Sequence, residues 1–396
     1  MIINSMFDND VYKFTMLQAV LHQHSKVTAE YKFKCRTENI NFLPYIEDIK
    51  KGINDLTKLK STKEELEYAG DMRFIESDTI QFLKLFRFDN NYVNVYCDTK
   101  GALHVTVRGP WLHTILFEVP ILSIISEIYS RDQTVNFDLA NRRTEEKINL
   151  LLKTYNDTGL VVPIDEFGGR RRHSLQAHKN ALSLFKEKCF IKEHKTGLVG
   201  TSNMMLAKEL GITPIGTMAH EWMQAHQSLY RVADSQSMAL ENWAREYRGD
   251  LGIALSDVIG LKYFLYDFDM YFSKLFDGSR QDSGCPYRYA DSMIEHYESM
   301  NIDPKTKTVV FSDGLTIEEA INLAITFAKK IKTSFGIGTF ITNDFDFKAL
   351  QLVLKMTECN GNPVAKISDS PGKSMCKDNQ YVNYLIQSFD RRINRK

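Results

Sequence analysis

The chain lacks an excess of charge of either sign. Its 396 residues carry 50 lysines and arginines against 50 aspartates and glutamates. A protein that coats nucleic acid usually carries a basic surplus, so the balance argues against that class while leaving room for a local basic pocket. Cysteine is sparse: Cys35, Cys97, Cys189, Cys285, Cys359 and Cys376 form no C-x-x-C pair. A chain of this length folds without staples, so reduced thiols and a cytoplasmic setting follow. The N-terminus shows no basic stretch leading into an apolar core, so no signal peptide is evident. The most apolar window, 111–129, is interrupted by Glu118, Pro120 and Glu127. It reads as a buried helix, and no membrane partner is expected. Fixed-period repeats and low-complexity linkers are also missing.

Apolar residues make up 43% of the chain and charged residues 25%, an ordinary globular composition. Val27, Ala29, Tyr31, Phe33 and Cys35 alternate with polar residues, the pattern of a half-buried strand. Helical patterns over 44–58 and 62–86 and short strands near 92–97 and 103–107 complete an α+β layer. Past about residue 135 the rhythm changes. Six short strands each end in a polar loop: Gly200-Thr201-Ser202-Asn203, Gly216-Thr217, Ser256-Asp257, Arg280-Gln281-Asp282-Ser283-Gly284, Ser312-Asp313-Gly314 and Gly336-Ile337-Gly338-Thr339. Five of the six continue into a clear helical pattern, which implies parallel strands with right-handed crossovers. A doubly wound sheet concentrates its ligand loops at one switch point, whereas here every strand has one. An α/β barrel with all loops at one mouth is therefore favoured. Asn360-Gly361 is a hairpin signal that returns the chain to sheet structure. The expected division is an α+β domain over 1–135, rejoined by 345–396, and a barrel over 136–344.

These loops hold the residues with chemical potential. Asp165-Glu166-Phe167-Gly168-Gly169-Arg170-Arg171-Arg172 joins a flexible backbone to three guanidiniums, suited to carboxylates and phosphates. Phe167 offers an aromatic face. Arg280 and Asp282 suit a sugar phosphate, with Asp313 in a second loop of that kind. Gly336, Gly338 and Thr339 present backbone N–H groups and a hydroxyl for phosphate. His220 stands on the lip of the strand ending at Gly216-Thr217, open to roles as base, nucleophile or metal ligand. A zinc helix fails, because Gln224 occupies the second histidine position and His226 lies on another face. No metal-ligating set is assigned. Gly336-x-Gly338 has Ile341 where a dinucleotide fingerprint needs glycine, and Gly372-Lys373-Ser374 has Ile367 where a Walker A loop needs one. His173, His178 and His194 read as surface residues. The alternative use of Arg170–Arg172 with the basic tail, RNA binding, lacks interleaved aromatics.

In their order along the chain, Asp8-Asn9-Asp10-Val11-Tyr12-Lys13, Glu166-Phe167-Gly168, Arg170-Arg171, Gly200-Thr201-Ser202-Asn203, Gly216-Thr217-Met218-Ala219-His220-Glu221-Trp222, Asp282-Ser283-Gly284, Phe311-Ser312-Asp313, Ser334-Phe335-Gly336-Ile337-Gly338-Thr339 and Ala365-Lys366-Ile367-Ser368-Asp369-Ser370-Pro371-Gly372-Lys373 resemble the nicotinate phosphoribosyltransferases. The resemblance implies an irregular α/β barrel with an open-faced sandwich, and a homodimer with shared active sites. It implies transfer of a phosphoribosyl group from phosphoribosyl pyrophosphate to nicotinate, with ATP and Mg2+ and a ligase-type coupling through phosphate on His220. It further implies that Tyr12 stacks on nicotinate from the neighbouring subunit, opposite Phe167. Arg170 and Arg171 would serve carboxylate and phosphates. Thr201 and Ser202 would border the substrate, with Ser202 standing where nicotinamide-using relatives place an aspartate. Arg280, Asp282 and Asp313 would hold ribose and pyrophosphate, and Gly314, Gly336, Gly338 and Thr339 the 5′-phosphate. Two positions depart from the pattern: Cys285 where an acidic residue is usual, which would weaken magnesium binding, and Gly169 where a larger residue is common.

Overall fold

The computed structural model describes residues 1–369 and 375–394. Residues Ser370 to Lys373 of the last resembling segment, and Ser374 of the Walker-like run, lie outside them.

Two sheets carry the fold. The first is antiparallel and contains β1 (Thr28–Cys35), β2 (Val93–Cys97) and β3 (Leu103–Pro110). Along β3, Leu103, Val105 and Val107 are buried while His104 and Arg108 are exposed, the period-two burial of a one-sided sheet. The second sheet is parallel: β4 (Pro163–Glu166), β5 (Gly197–Thr201), β6 (Thr213–Pro214), β7 (Ile253–Leu255), β8 (Gly278–Gln281), β9 (Thr308–Phe311) and β10 (Lys332–Ile337). Two further strands, β11 (Leu352–Cys359) and β12 (Asn362–Pro363), belong to the first sheet, whose order is β12-β11-β1-β3-β2. β11 pairs antiparallel with β1, placing Lys355 opposite Lys32 and Leu354 opposite Phe33. Asn360 and Gly361 join β11 to β12 with φ of 47° and 79°, the left-handed pair a tight hairpin turn requires.

The parallel sheet has the order β6-β5-β4-β10-β9-β8-β7. That order is circular, with one seam between β6 and β7. The hydroxyl of Thr217 crosses the seam and donates to the Ile253 carbonyl at 3.0 Å. The structure is thus a curled α/β barrel, open at one seam, and every loop after a strand faces one mouth. Ile164, Leu198, Ala254, Val309, Phe311, Phe335 and Ile337 are fully buried along its strands, with Phe311 and Phe335 stacked at 5.7 Å.

Two helices pack between the sheets. Helix α1 (Val11–Gln23) buries every residue from Val11 to Val20, so it has no solvent face in its first two turns and more. The apolar stretch from Trp111 ends in helix α2 (Glu118–Ser130), also almost wholly buried, so the reading as a core helix holds. Two of its three serines face the arginine loop: Ser123 donates to the Gly169 carbonyl at 2.9 Å and Ser126 to the Arg172 carbonyl at 2.8 Å.

The surface reading is corrected for His173 and His178. His178 is fully buried and His173 is 7% exposed, packed on Phe345 with ring centroids 4.2 Å apart. His178 lies on the apolar face of helix Leu175–Cys189, with Ala181, Leu182 and Phe185, and its Nε2 meets the Glu166 carboxylate at 2.7 Å. A buried carboxylate needs such a donor.

Candidate active site

The loops after β4, β5, β6, β8, β9 and β10, with residues from α1, α2 and β11, enclose a cavity of about 540 Å³. That is the size of a small-molecule site. His220 opens helix α3 (His220–Leu229), delivered there by the loop after β6. The loop is fixed by α1: Thr15 donates to the Thr217 carbonyl at 2.7 Å, and a side chain at Gly216 would meet the Tyr12 amide nitrogen at 2.8 Å.

His220 Nε2 lies 2.9 Å from Asp257 Oδ1 and 3.4 Å from Asp282 Oδ2. The other oxygen of Asp257 accepts from Ser283 at 2.7 Å and from the Lys366 ammonium at 2.7 Å. Burial and the nearby Lys366 charge hold His220 down at about 4, so the ring is neutral near pH 7. Against the effect of burial, His220 and Lys366 hold the Asp257 carboxyl well below its usual range, so it is ionised. A neutral ring facing an ionised carboxylate carries its proton on Nε2, which leaves the lone pair on Nδ1. His220, Asp257 and Asp282 also place three ligand atoms within 4.8 Å of one another. The Lys366 ammonium already supplies the positive charge at Asp257, and an imidazole is a poor ligand for a hard cation. The trio therefore suits holding a proton better than caging a metal.

The predicted residues Tyr12, Phe167, Arg170, Arg171, Ser202, Arg280, Asp282, Asp313, Gly314, Gly336, Gly338 and Thr339 all line this one cavity. Phe167 packs on Gly336, where an added Cβ would come within 2.5 Å of its ring. Arg171 donates to the Leu352 carbonyl at 2.9 Å and to Gln351 at 3.0 Å, so β11 aims it. Burial and the adjacent Arg170 and Arg36 charges bring its guanidinium down to about 10, a cation crowded by cations and suited to an anionic ligand. Arg170 is 3.4 Å from Glu118 and 3.9 Å from Asp10. Ser202 donates to Asp10 at 2.8 Å. Ser312 steadies Asp282 at 3.1 Å.

Several expectations change. Thr201 is fully buried away from the cavity; its hydroxyl donates to Glu166 at 2.5 Å and accepts from the Asn203 amide. It braces the loop and does not line the cavity. Tyr12, which the resemblance implies reaches the pyridine from a neighbouring subunit, lines the cavity of this chain together with Phe167. The buried Asp8–Arg172 ion pair and the Val11 amide to the Ser202 carbonyl, 2.7 Å, dock α1 onto its own barrel. Arg172 is fully buried, bound to Asp8 and Glu127, so the arginine run is not an exposed basic patch. Cys285 is exposed at the start of helix Pro286–Ser299 and does not line the cavity.

Sequence reasoning missed Arg36, Asp257, Lys355 and Lys366, together with the acidic wall formed by Asp10, Glu118 and Glu221. Asp257 follows β7 in a polar loop of the same type as the assigned ones, a signal that could have found it. Lys355 and Arg36 arrive from β11 and the end of β1 and have no local signal.

Fold and cavity together define an α/β-barrel enzyme with arginines and lysines at its mouth and a neutral histidine held by carboxylates. Comparison with known proteins makes the assignment particular. Residues 162–393 match the nicotinate phosphoribosyltransferase (NAPRTase) family, and residues 7–126 match the NAPRTase N-terminal domain. The nicotinate phosphoribosyltransferase of Xylella fastidiosa (strain 9a5c) is 48% identical over 394 residues, 98% of each chain. That of Bordetella pertussis is 48% identical, covering 98% of this chain and 95% of the relative. The crystal structure of nicotinate phosphoribosyltransferase from Vibrio cholerae superposes with a TM-score of 0.93 at 36% identity, covering 98% of this chain and 94% of that one. The Porphyromonas gingivalis enzyme gives 0.91 at 30% identity, over 98% and 100% of the two chains. The chain belongs to the nicotinate phosphoribosyltransferase family.

Proposed function

We propose that this chain is a cytoplasmic enzyme of NAD salvage. It joins nicotinate to the ribosyl group of phosphoribosyl pyrophosphate, releasing pyrophosphate and nicotinate mononucleotide. ATP is cleaved to ADP and phosphate through transient phosphate on His220. The observation that carries this reading is His220 itself: neutral, 2.9 Å from an ionised Asp257, at one wall of a cavity that also gathers Arg170, Arg171, Arg280, Lys355, Lys366 and the glycine loops.

Each residue then has a task. Nδ1 of His220 attacks the γ-phosphorus of ATP and ADP leaves, while Asp257 keeps the Nε2 proton and stabilises the charge that develops on the ring. Water later takes the phosphoryl group and restores the histidine. Phe167 and Tyr12 flank the pyridine ring, and Arg170 and Arg171 draw its carboxylate. Ser202, whose proton is committed to Asp10, leaves no carboxylate of its own to repel an acid. The nicotinate nitrogen is already nucleophilic, so positioning is the main demand. Asp282 faces the sugar carbon, where positive charge grows as pyrophosphate departs, and Arg280 takes the departing charge. Asp282 and Asp313 at the cavity are hard oxygen donors that fit Mg2+. The ion would supply charge neutralisation on the phosphates there. A homodimer, which the resemblance implies, would leave each cavity walled by Tyr12 and Phe167 of one chain.

The test is a side-by-side assay of nicotinate, nicotinamide and quinolinate with phosphoribosyl pyrophosphate, with and without ATP. The reading requires nicotinate to be the substrate used and ATP to stimulate its use. Preference for nicotinamide or quinolinate, or indifference to ATP, contradicts it.

A further inference from the structure

A buried run of charge lies along the cavity wall, where Glu118, Arg170 and Glu221 line it. The side chain of Lys13 is fully buried, with its ammonium 2.7 Å from Glu118 and bonded to Glu221 as well. Glu118 continues to Arg170 at 3.4 Å. Glu221 also accepts from the Tyr31 hydroxyl at 2.9 Å and from the Trp111 indole at 2.9 Å, so its carboxylate is fixed from three elements. The sequence neighbours of this hub decide its meaning. Lys13 directly follows Tyr12, and Glu221 directly follows His220. Each partner of the Lys13–Glu221 pair thus sits in the first turn of a helix, one residue from a group that faces the cavity.

Apolar side chains of similar volume can pack a buried seam with no loss of stability. Stability therefore does not account for a lysine and two glutamates placed here. A phosphoryl group on His220 adds close to two negative charges one residue along the chain from Glu221. A shift of the first turn of α3 moves Glu221, Glu221 is tied to the Lys13 ammonium, and any shift of Lys13 carries Tyr12 with it along the first turn of α1. Linkage makes the effect reciprocal: what phosphate does to the pyridine end, pyridine does to phosphate.

We propose that Lys13 is a positioning residue that ties Tyr12 to His220, so that filling the pyridine end of the cavity and carrying phosphate at the histidine end are linked. The proposal rests on the reading of His220 given above. It is tested on the intact enzyme, phosphorylated with γ-labelled ATP, by the rate at which acid-labile phosphate leaves His220 with and without nicotinate. The ratio of the two rates is the readout, and each preparation serves as its own control. In the wild type the ratio differs from one. In Lys13→Met it falls toward one by about fivefold or more, the low end of ordinary coupling between sites. Tyr31→Phe removes one hydrogen bond to Glu221 without leaving an unpaired charge, and lowers the ratio by about twofold. A wild-type ratio of one overturns the proposal, as does an unchanged ratio in a folded, labelled Lys13→Met enzyme. Should Lys13→Met not fold, an unchanged ratio in Tyr31→Phe overturns it. A wild-type enzyme that takes no label on His220 removes the reading of His220 itself, and this proposal with it.

Discussion

Lys355 reaches the cavity from the middle of β11, on the sheet that does not form the barrel. Burial brings its ammonium down to about 8, with Glu118 pulling upward and Arg170 and Lys366 pushing down. Below pH 8 the side chain carries a positive charge that an anionic substrate can use; above pH 8 that charge is lost. The KM for phosphoribosyl pyrophosphate should therefore rise as pH passes 8, by roughly tenfold per 1.4 kcal/mol of lost attraction. Lys355→Met should start with the higher KM and show a flatter profile over the same range. A wild-type KM that stays level from pH 7 to 9.5 contradicts this assignment. The polar tips that made Arg170, Arg171, Asp282 and His220 legible follow strands directly, in short sequence windows. Thr201 was misread because a hydroxyl in a Gly-Thr-Ser-Asn loop looks the same whether it faces a ligand or a buried Glu166.

At the scale of elements, β10 and the loop after β4 form one wall of the site. The Phe167 amide donates to the Ile337 carbonyl at 2.8 Å, and the Phe167 ring covers Gly336. The close approach needs glycine there; its use is contact, since no positive φ is involved. A methyl group at Gly336 meets the ring of a movable side chain, so the strand survives and Phe167 is displaced. Gly336→Ala should raise the nicotinate KM about tenfold, equivalent to roughly 1.4 kcal/mol, with thermal stability nearly unchanged. A normal nicotinate KM would show that Phe167 does not flank the ring. The barrel strands were readable because each is short, apolar and followed by Gly, Ser, Thr or Asp. The pairing of β11 with β1 was not, because partners such as Phe33 and Leu354 lie far apart in the chain and no local pattern records who pairs with whom.

At the scale of the molecule, the position of α1 sets which groups of one chain meet at its cavity. It lies between the two sheets of its own chain, and it puts Tyr12 and Lys13 beside that chain's own His220 loop. If Tyr12→Ala and His220→Ala enzymes are co-expressed, no ATP-coupled activity should reappear. Sites shared between subunits would restore about a quarter of wild-type activity, since half of the mixed dimers' sites would be intact. The same argument explains why the histidine-centred chemistry was visible early while its setting was not. His220 has a distinctive local sequence. Asp257, Lys366 and Lys355 join it only when the barrel and the outer sheet close over one another.

Phosphate on His220 is the claim on which the rest depends, and labelling addresses it directly. The enzyme is incubated with γ-labelled ATP and Mg2+, the labelled peptide is mapped, and phosphoribosyl pyrophosphate and nicotinate are then added. The account predicts acid-labile label on His220 alone, lost as nicotinate mononucleotide forms, and no label in His220→Ala. Label on another residue, or ATP stimulation that persists in full in His220→Ala, would contradict it.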